Sequence, residues 1–243
     1  MSGPRPARFW TITLAAVLGI AATFSLGAWQ LSRASQKLAL HAAIEQRRAM
    51  PVVSQAELLA AGGAAASLVH RPVVLRGTWA AERTVYLDNR QMQAKPGFYV
   101  VTPLKLEAGN AAVLVERGWV QRNFERRDKL PAIETPAGIV EVRGLLAPPP
   151  AKLYDFGSAG SGPIRQNLDI AQFRAETGLP LLDLSIQQAG APSEGLLRDW
   201  PEPATGVERH YGYAFQWWAL AALIAILYVW FQIIAPRRKR THA

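Results

Sequence analysis

YAFQWWALAALIAILYVWFQII, residues 213–234, runs on through Ala235 and Pro236 into Arg237-Arg238-Lys239-Arg240. No Asp, Glu, Lys or Arg occurs from position 210 to 236, which is longer than the roughly 20 apolar residues a helix needs to cross a hydrocarbon layer. A second charge-free stretch covers residues 9–32. The two runs predict one transmembrane helix near each end, over residues 9–30 and 210–234, flanking a single intervening domain. Residues 9–30 are long for the apolar part of a secretory leader, and no clear small-residue cleavage site follows, so a retained anchor is expected. Four cations directly after the second span mark its cytoplasmic side, and two spans return the other end to the same side. Arg5 and Arg8 agree with this. Arg33, Lys37, Arg47 and Arg48 oppose it, but the terminal cluster is denser and long loops translocate largely regardless of charge.

The expected layout is a cytoplasmic tail (1–8), a transmembrane helix (9–30), a periplasmic β-rich domain with an N-terminal helical extension (31–209), a second transmembrane helix (210–234) and a basic cytoplasmic tail (235–243). Such a chain would sit in a bacterial inner membrane, with lipid as its immediate partner. Of the 243 residues 50% are hydrophobic and 19% charged, and all 18 acidic residues fall in the middle segment. Six cations of the tails (Arg5, Arg8, Arg237, Arg238, Lys239, Arg240) carry most of the +9 net charge, leaving the middle at +3. Topology thus accounts for the basic excess, and nucleic acid is not expected as a partner. The absence of cysteine excludes disulfides, thiolate metal sites and a Cys nucleophile.

The two spans should pack on each other. Ala15, Gly19, Thr23 and Gly27 recur every fourth residue, and Ala221, Ala222 and Ala225 offer a small-residue surface in return. Trp10, Trp29, Trp217, Trp218 and Trp230 lie towards span ends, as an aromatic belt would.

Between the spans, residues 30–49 continue the helical period until Pro51, and the Ala/Gly-rich 60–66 is expected as a loop. Short β-branched and aromatic runs at 72–79, 84–87, 98–101, 113–115 and 140–144 suit a mainly antiparallel sheet or barrel, giving an α+β domain. Asp88-Asn89-Arg90 is expected to turn between strands, and Arg117-Gly118-Trp119 to end one with a packed Trp. Residues 148–150 and 157–162 are expected as loops, 170–177 as a short helix, 183–188 as a returning strand and 191–208 as a linker. No nucleophile elbow, phosphate loop, zinc-protease helix or dinucleotide fingerprint occurs, so no catalytic residue is assigned and an enzyme is not expected.

His242 falls in the tail, and His70 is expected exposed at a strand start. His210 stands at the mouth of the second span, in Arg209-His210-Tyr211-Gly212-Tyr213-Ala214-Phe215-Gln216-Trp217-Trp218. Helical spacing puts His210, Ala214 and Trp217 on one face, with Tyr211, Phe215 and Trp218 on the next. An interfacial imidazole among aromatic rings suits an axial haem ligand, with Arg209 able to pair with a propionate. On these residues alone an ordinary interfacial histidine is the stronger reading.

The chain resembles the Surfeit locus protein 1 family of cytochrome c oxidase assembly factors, over about residues 9–234. The resemblance is carried by six segments in order. Leu26-Gly27-Ala28-Trp29-Gln30-Leu31 with Arg33 and Lys37 comes first, then Arg71-Pro72-Val73 with Gly77. Tyr86-Leu87-Asp88-Asn89-Arg90 and Gly97-Phe98-Tyr99-Val100-Val101-Thr102-Pro103-Leu104 follow. Val113-Leu114-Val115 with Arg117-Gly118-Trp119-Val120, and His210-Tyr211-Gly212-Tyr213-Ala214 with Gln216-Trp217, complete the set. Glu116 and Gln121 depart from the family's usual residues, without touching the histidine. The resemblance implies a non-enzymatic factor that binds haem a and assists its insertion into cytochrome c oxidase subunit I, with haem a synthase as a further candidate partner. It implies His210 as the iron ligand, with Arg209, Tyr213 and Trp217 around the cofactor. The alternative is a haem-independent membrane scaffold for an oxidase assembly intermediate.

Overall fold

The computed structural model describes residues 7–107, 109–123, 126, 130–154, 162–201 and 205–236. The basic run 237–240, Arg5, His242 and loop positions 157–161 lie outside the described residues. The chain divides into two compact units, one from residues 1–43 with 203–243 and the other from residues 44–202.

The first unit is helical. Helix α1 spans Ala7–Arg48, and helix α4 spans Val207–Val229 before a π-helical turn, Trp230–Ile234. Both are long and apolar enough to cross a membrane, and only 6% of the most apolar window of each is buried within the structure.

The second unit is a mainly antiparallel sheet with short helices. Its strands are β1 (Pro72–Trp79), β2 (Val85–Met92), β3 (Lys95–Leu106), β4 (Ala112–Gln121), β5 (Ile139–Ala147), β6 (Ile164–Arg165) and β7 (Leu181–Gln188). Their order is β1-β5-β7-β4-β3-β2-β6, with β4–β7 and β2–β6 parallel. An additional antiparallel pairing of β1 with β3 joins Gly77 to Leu106 and Trp79 to Leu104. It closes β1, β5, β7, β4 and β3 into a ring, which removes the open edges those strands would otherwise expose. Gly77 permits the closure, because a Cβ there would collide with the Lys105 carbonyl.

All five ring strands feed one core, through residues such as Leu75, Leu104, Val113, Val142 and Ile186. Alternate residues of β4 serve the other core, where Leu114 joins Val85, Leu87 and Phe173. Phe173 comes from helix α3 (Ile170–Thr177), which Asp169 caps through the Gln172 N–H and Gly178 ends at φ 68°.

Four expectations need correction. Residues 60–66 are helical: α2 (Gln55–Ala61) runs into a 3₁₀ segment, Gly62–Leu68. Ser54 caps α2 by accepting from the Glu57 N–H at 3.2 Å, and Leu58 and Ala65 enter the ring core. Asp88-Asn89-Arg90 makes a bulge inside β2, with Asn89 at φ 61°, and the chain reverses later at Gln93 and Ala94, φ 50° and 60°. Residues 191–208 are more than a linker, since Leu197 bridges Trp119 of β4 and Leu196 is buried. His70 is half-buried with φ 74° rather than exposed. Burial, with Arg47 and Arg48 nearby, holds its pKa below the usual histidine value. Strands 72–79 and 140–144 and helix 170–177 fall where their patterns put them.

Candidate functional site

Helices α1 and α4 pack antiparallel within their unit. Thr13 Oγ1 meets Tyr228 Oη at 2.8 Å, Gly19 lies against Ile224, and Phe24 stacks on Trp218 with centroids 5.9 Å apart. Trp218 Nε1 donates to the Phe24 carbonyl at 3.3 Å. Partner numbers fall along α4 as they rise along α1, so residues 7 and 236 belong to the same end of the pair.

Small residues make the approach possible. Thr23, Gly27 and Ala34 are the buried residues of α1, and Val207, Ala214 and Ala221 those of α4, seven apart on one face. A Cβ at Gly27 would overlap the Trp218 indole. Of the expected ridge, Gly19, Thr23 and Gly27 face the partner and Ala15 does not. On the second helix Ala221 is buried, Ala225 half-buried and Ala222 exposed.

At the polar end of this pair, His210 Nδ1 lies 2.6 Å from Gln30 Oε1. Both side chains are half-buried, one at the end of the apolar run of α1 and the other in the first turn of α4. Around them opens a cleft of about 890 Å³, lined by Trp29, Gln30 and Lys37 of α1 and by Thr205, Gly206, Glu208, Arg209, His210 and Tyr213. That volume is within the roughly 300–1,000 Å³ usual for small-molecule and cofactor sites. Gly206 starts α4 in a left-handed conformation, φ 57°, and a side chain there would point towards Lys37 Nζ.

Of the predicted residues, the structure brings Arg209, His210 and Tyr213 into one cleft. Trp217, one turn further along α4, is half-buried and outside the lining. Sequence reasoning read Trp29 as part of an aromatic belt and Lys37 as a flanking charge, and placed neither them nor Gln30 at the His210 site, although all three stand in Trp29-Gln30-Leu31 with Arg33 and Lys37. Nothing local linked them to His210, 180 positions away.

The donor set is specific. Two cations against one carboxylate (Glu208), with two aromatic rings and one imidazole, leave a net positive lining that suits a planar apolar group carrying anionic substituents. No group of three His, Asp or Glu side chains gathers to hold a metal ion among the described residues. A metal bound at His210 would therefore have to bring its remaining ligands with it, as a porphyrin iron does.

A second concentration of buried polar groups lies in the sheet unit. Arg117, bulged out of the β3–β4 ladder, is fully buried with its guanidinium 4.8 Å over the Trp79 ring. It donates to Thr135 Oγ1 and the Glu134 carbonyl at 2.7 Å and to Glu194 Oε2 at 2.8 Å. Glu116, its neighbour, faces the other way and accepts from Ser185 Oγ at 2.9 Å. Burial pushes the Glu116 carboxyl well above its usual range, against hydrogen bonds from Ser185 and Gln187 and the charge of Arg90. Arg90 is itself tied to the carbonyls of Ala151 and Gln166. These groups bond inward to the domain's own backbone and side chains, as a structural network does.

Comparison with known proteins adds a family. The model of the SURF1 family matches residues 17–222. The SURF1-like protein of Rickettsia felis is 32% identical over 108 residues, 44% of this chain and 43% of that protein. The chain thus spans less than half of that relative's length in the match. Longer alignments reach the SURF1-like protein of Rickettsia bellii, 26% identical over 84% of this chain and 83% of that protein. Surfeit locus protein 1 of Rattus norvegicus is 27% identical over 89% of this chain and 74% of that protein.

Proposed function

Because this chain belongs to the SURF1 family, we propose that it is a membrane-anchored assembly factor for haem-copper cytochrome c oxidase, holding haem a at the His210 cleft for insertion into subunit I. Haem a is cargo here, and haem a synthase is the partner from which it would come. The helices α1 and α4 span a bacterial inner membrane. At 1.5 Å per residue, the 42 residues of α1 reach about 63 Å, twice a hydrocarbon core of roughly 30 Å. The ends bearing residues 7 and 236 face the cytoplasm, next to the basic run 237–240, and the sheet domain is periplasmic.

The observation that carries the proposal is an imidazole held against Gln30 in an open cleft where the apolar part of the helix pair ends. Bound haem a supplies an iron that accepts a nitrogen ligand, two carboxylates and a long apolar tail. His210 would offer the nitrogen, Arg209 and Lys37 would pair with the carboxylates, and Trp29 and Tyr213 would supply apolar surface for the ring, with Trp217 one turn further along α4. The tail favours delivery from a membrane helix over delivery from a water-filled pocket. One protein ligand in an open cleft holds the cargo loosely enough to release it, while the sheet domain docks on the oxidase subunit.

The test is the visible spectrum of the detergent-purified protein from cells that make haem a. Wild type carries a haem spectrum, and His210→Ala loses about 90% or more of it, as loss of a sole ligand costs at least tenfold in affinity. Equal occupancy in the two proteins overturns the ligand assignment. A wild type without haem, whose deletion still lowers oxidase content, is instead the haem-independent scaffold.

A further inference from the structure

The structure assigns a role to Gln30: its amide oxygen accepts a hydrogen bond from the Nδ1–H of His210 and so reserves the Nε2 lone pair for iron. This positioning role rests on the haem reading above and goes beyond it by fixing which ring nitrogen can ligate.

A neutral imidazole has one N–H and one lone pair, on opposite nitrogens. An amide oxygen 2.6 Å from Nδ1 is an acceptor only, so the ring must present its proton there. In the neutral ring Nε2 then carries the lone pair, and it has no hydrogen-bond partner among the described residues. Metal-bound histidines ordinarily have their other nitrogen tied to a carboxylate, carbonyl or water in this way.

The identity of the partner matters as much as its presence. A carboxylate would draw the Nδ1 proton strongly, give the ring imidazolate character and hold ferric iron tightly. The neutral amide of Gln30 orients the ring with a weaker pull, which suits a site that must hand its cargo on. Gln30 also comes from α1 while His210 is on α4, so the ligating tautomer is selected only when the two helices are paired.

Ferric haem a extracted from purified oxidase is titrated into the full-length protein in detergent, following the Soret band, and the midpoint potential of the bound haem is then measured. Gln30→Leu should weaken binding about 10- to 100-fold. Gln30→Glu should bind at least as tightly as wild type and lower the midpoint potential, which a merely structural contact would not do. Wild-type affinity in Gln30→Leu together with an unchanged potential in Gln30→Glu, while His210→Ala loses binding, overturns the role of Gln30 alone. Wild-type affinity in His210→Ala overturns the haem reading itself.

Discussion

Replacing Arg117 separates a structural from a functional view of the sheet domain. Its side chain is fully buried, with three hydrogen bonds of 2.7–2.8 Å and a tryptophan face at 4.8 Å. Arg117→Ala removes a charge that Glu194 needs, since the Glu194 side chain is only 18% exposed. Breaking one side of a buried pair costs roughly 3–5 kcal/mol. Arg198 remains 3.4 Å from the same carboxylate, so the lower end applies, about 3 kcal/mol. At roughly 2–4 °C per kcal/mol for a domain of this size, Tm should fall by about 6–12 °C. Arg117→Met with Glu194→Gln keeps the packing volume and leaves no orphan carboxylate, so it should recover most of that loss. Thermal melts of the detergent-purified protein, followed by near-ultraviolet circular dichroism, give both values. A single variant within about 1 kcal/mol of wild type, or a double variant as damaged as the single one, refutes the pairing account.

Two further outcomes follow from the geometry. Glu116 has a raised folded-state pKa, so its contribution is intact below the usual glutamate range and is lost as pH rises through the raised value. Glu116→Gln, which can still accept from Ser185, should match wild type at low pH and exceed it increasingly above the usual glutamate pKa; denaturant midpoints across pH check this, and a wild type that gains on the variant with rising pH refutes it. Gly27→Leu drives a side chain into the Trp218 indole and should cost about 1–3 kcal/mol of helix pairing. Since the chain has no cysteine, Gly19→Cys with Ile224→Cys reports pairing by short-reagent cross-linking without background, and an undiminished yield in Gly27→Leu counts against the close approach.

Features encoded by local pattern were legible in the sequence. The two apolar helices, the strand runs 72–79 and 140–144 and the helix 170–177 each carry their own period or propensity. Composition misled at 60–66, where glycine suggested a loop while alanine favoured helix. The Ser54-x-x-Glu57 start signal lay just upstream and was the better guide. At Asp88-Asn89-Arg90 the turn chemistry was real, since Asn89 is left-handed, but a bulge uses the same backbone conformation as a turn. Nor could any local pattern show that β1 returns to β3, because ring closure depends on pairing between strands about 30 residues apart.

The cleft shows the same division in its chemistry. On its residues alone His210 read as an ordinary interfacial histidine, and the family resemblance supplied its grouping with Arg209, Tyr213 and Trp217, of which Trp217 falls outside the cleft lining. Gln30 and Lys37 were present in a quoted motif yet carried no assignable role, because their partners depend on antiparallel register. That register is marked by Gly19 lying against Ile224 and Gly27 against the Trp218 indole, small residues that do no chemistry. The small residues thereby determine which amide meets which imidazole. A substitution at Gly27 should therefore disturb His210 without touching it, so the packing variant and the haem titration probe one structural coupling from opposite ends.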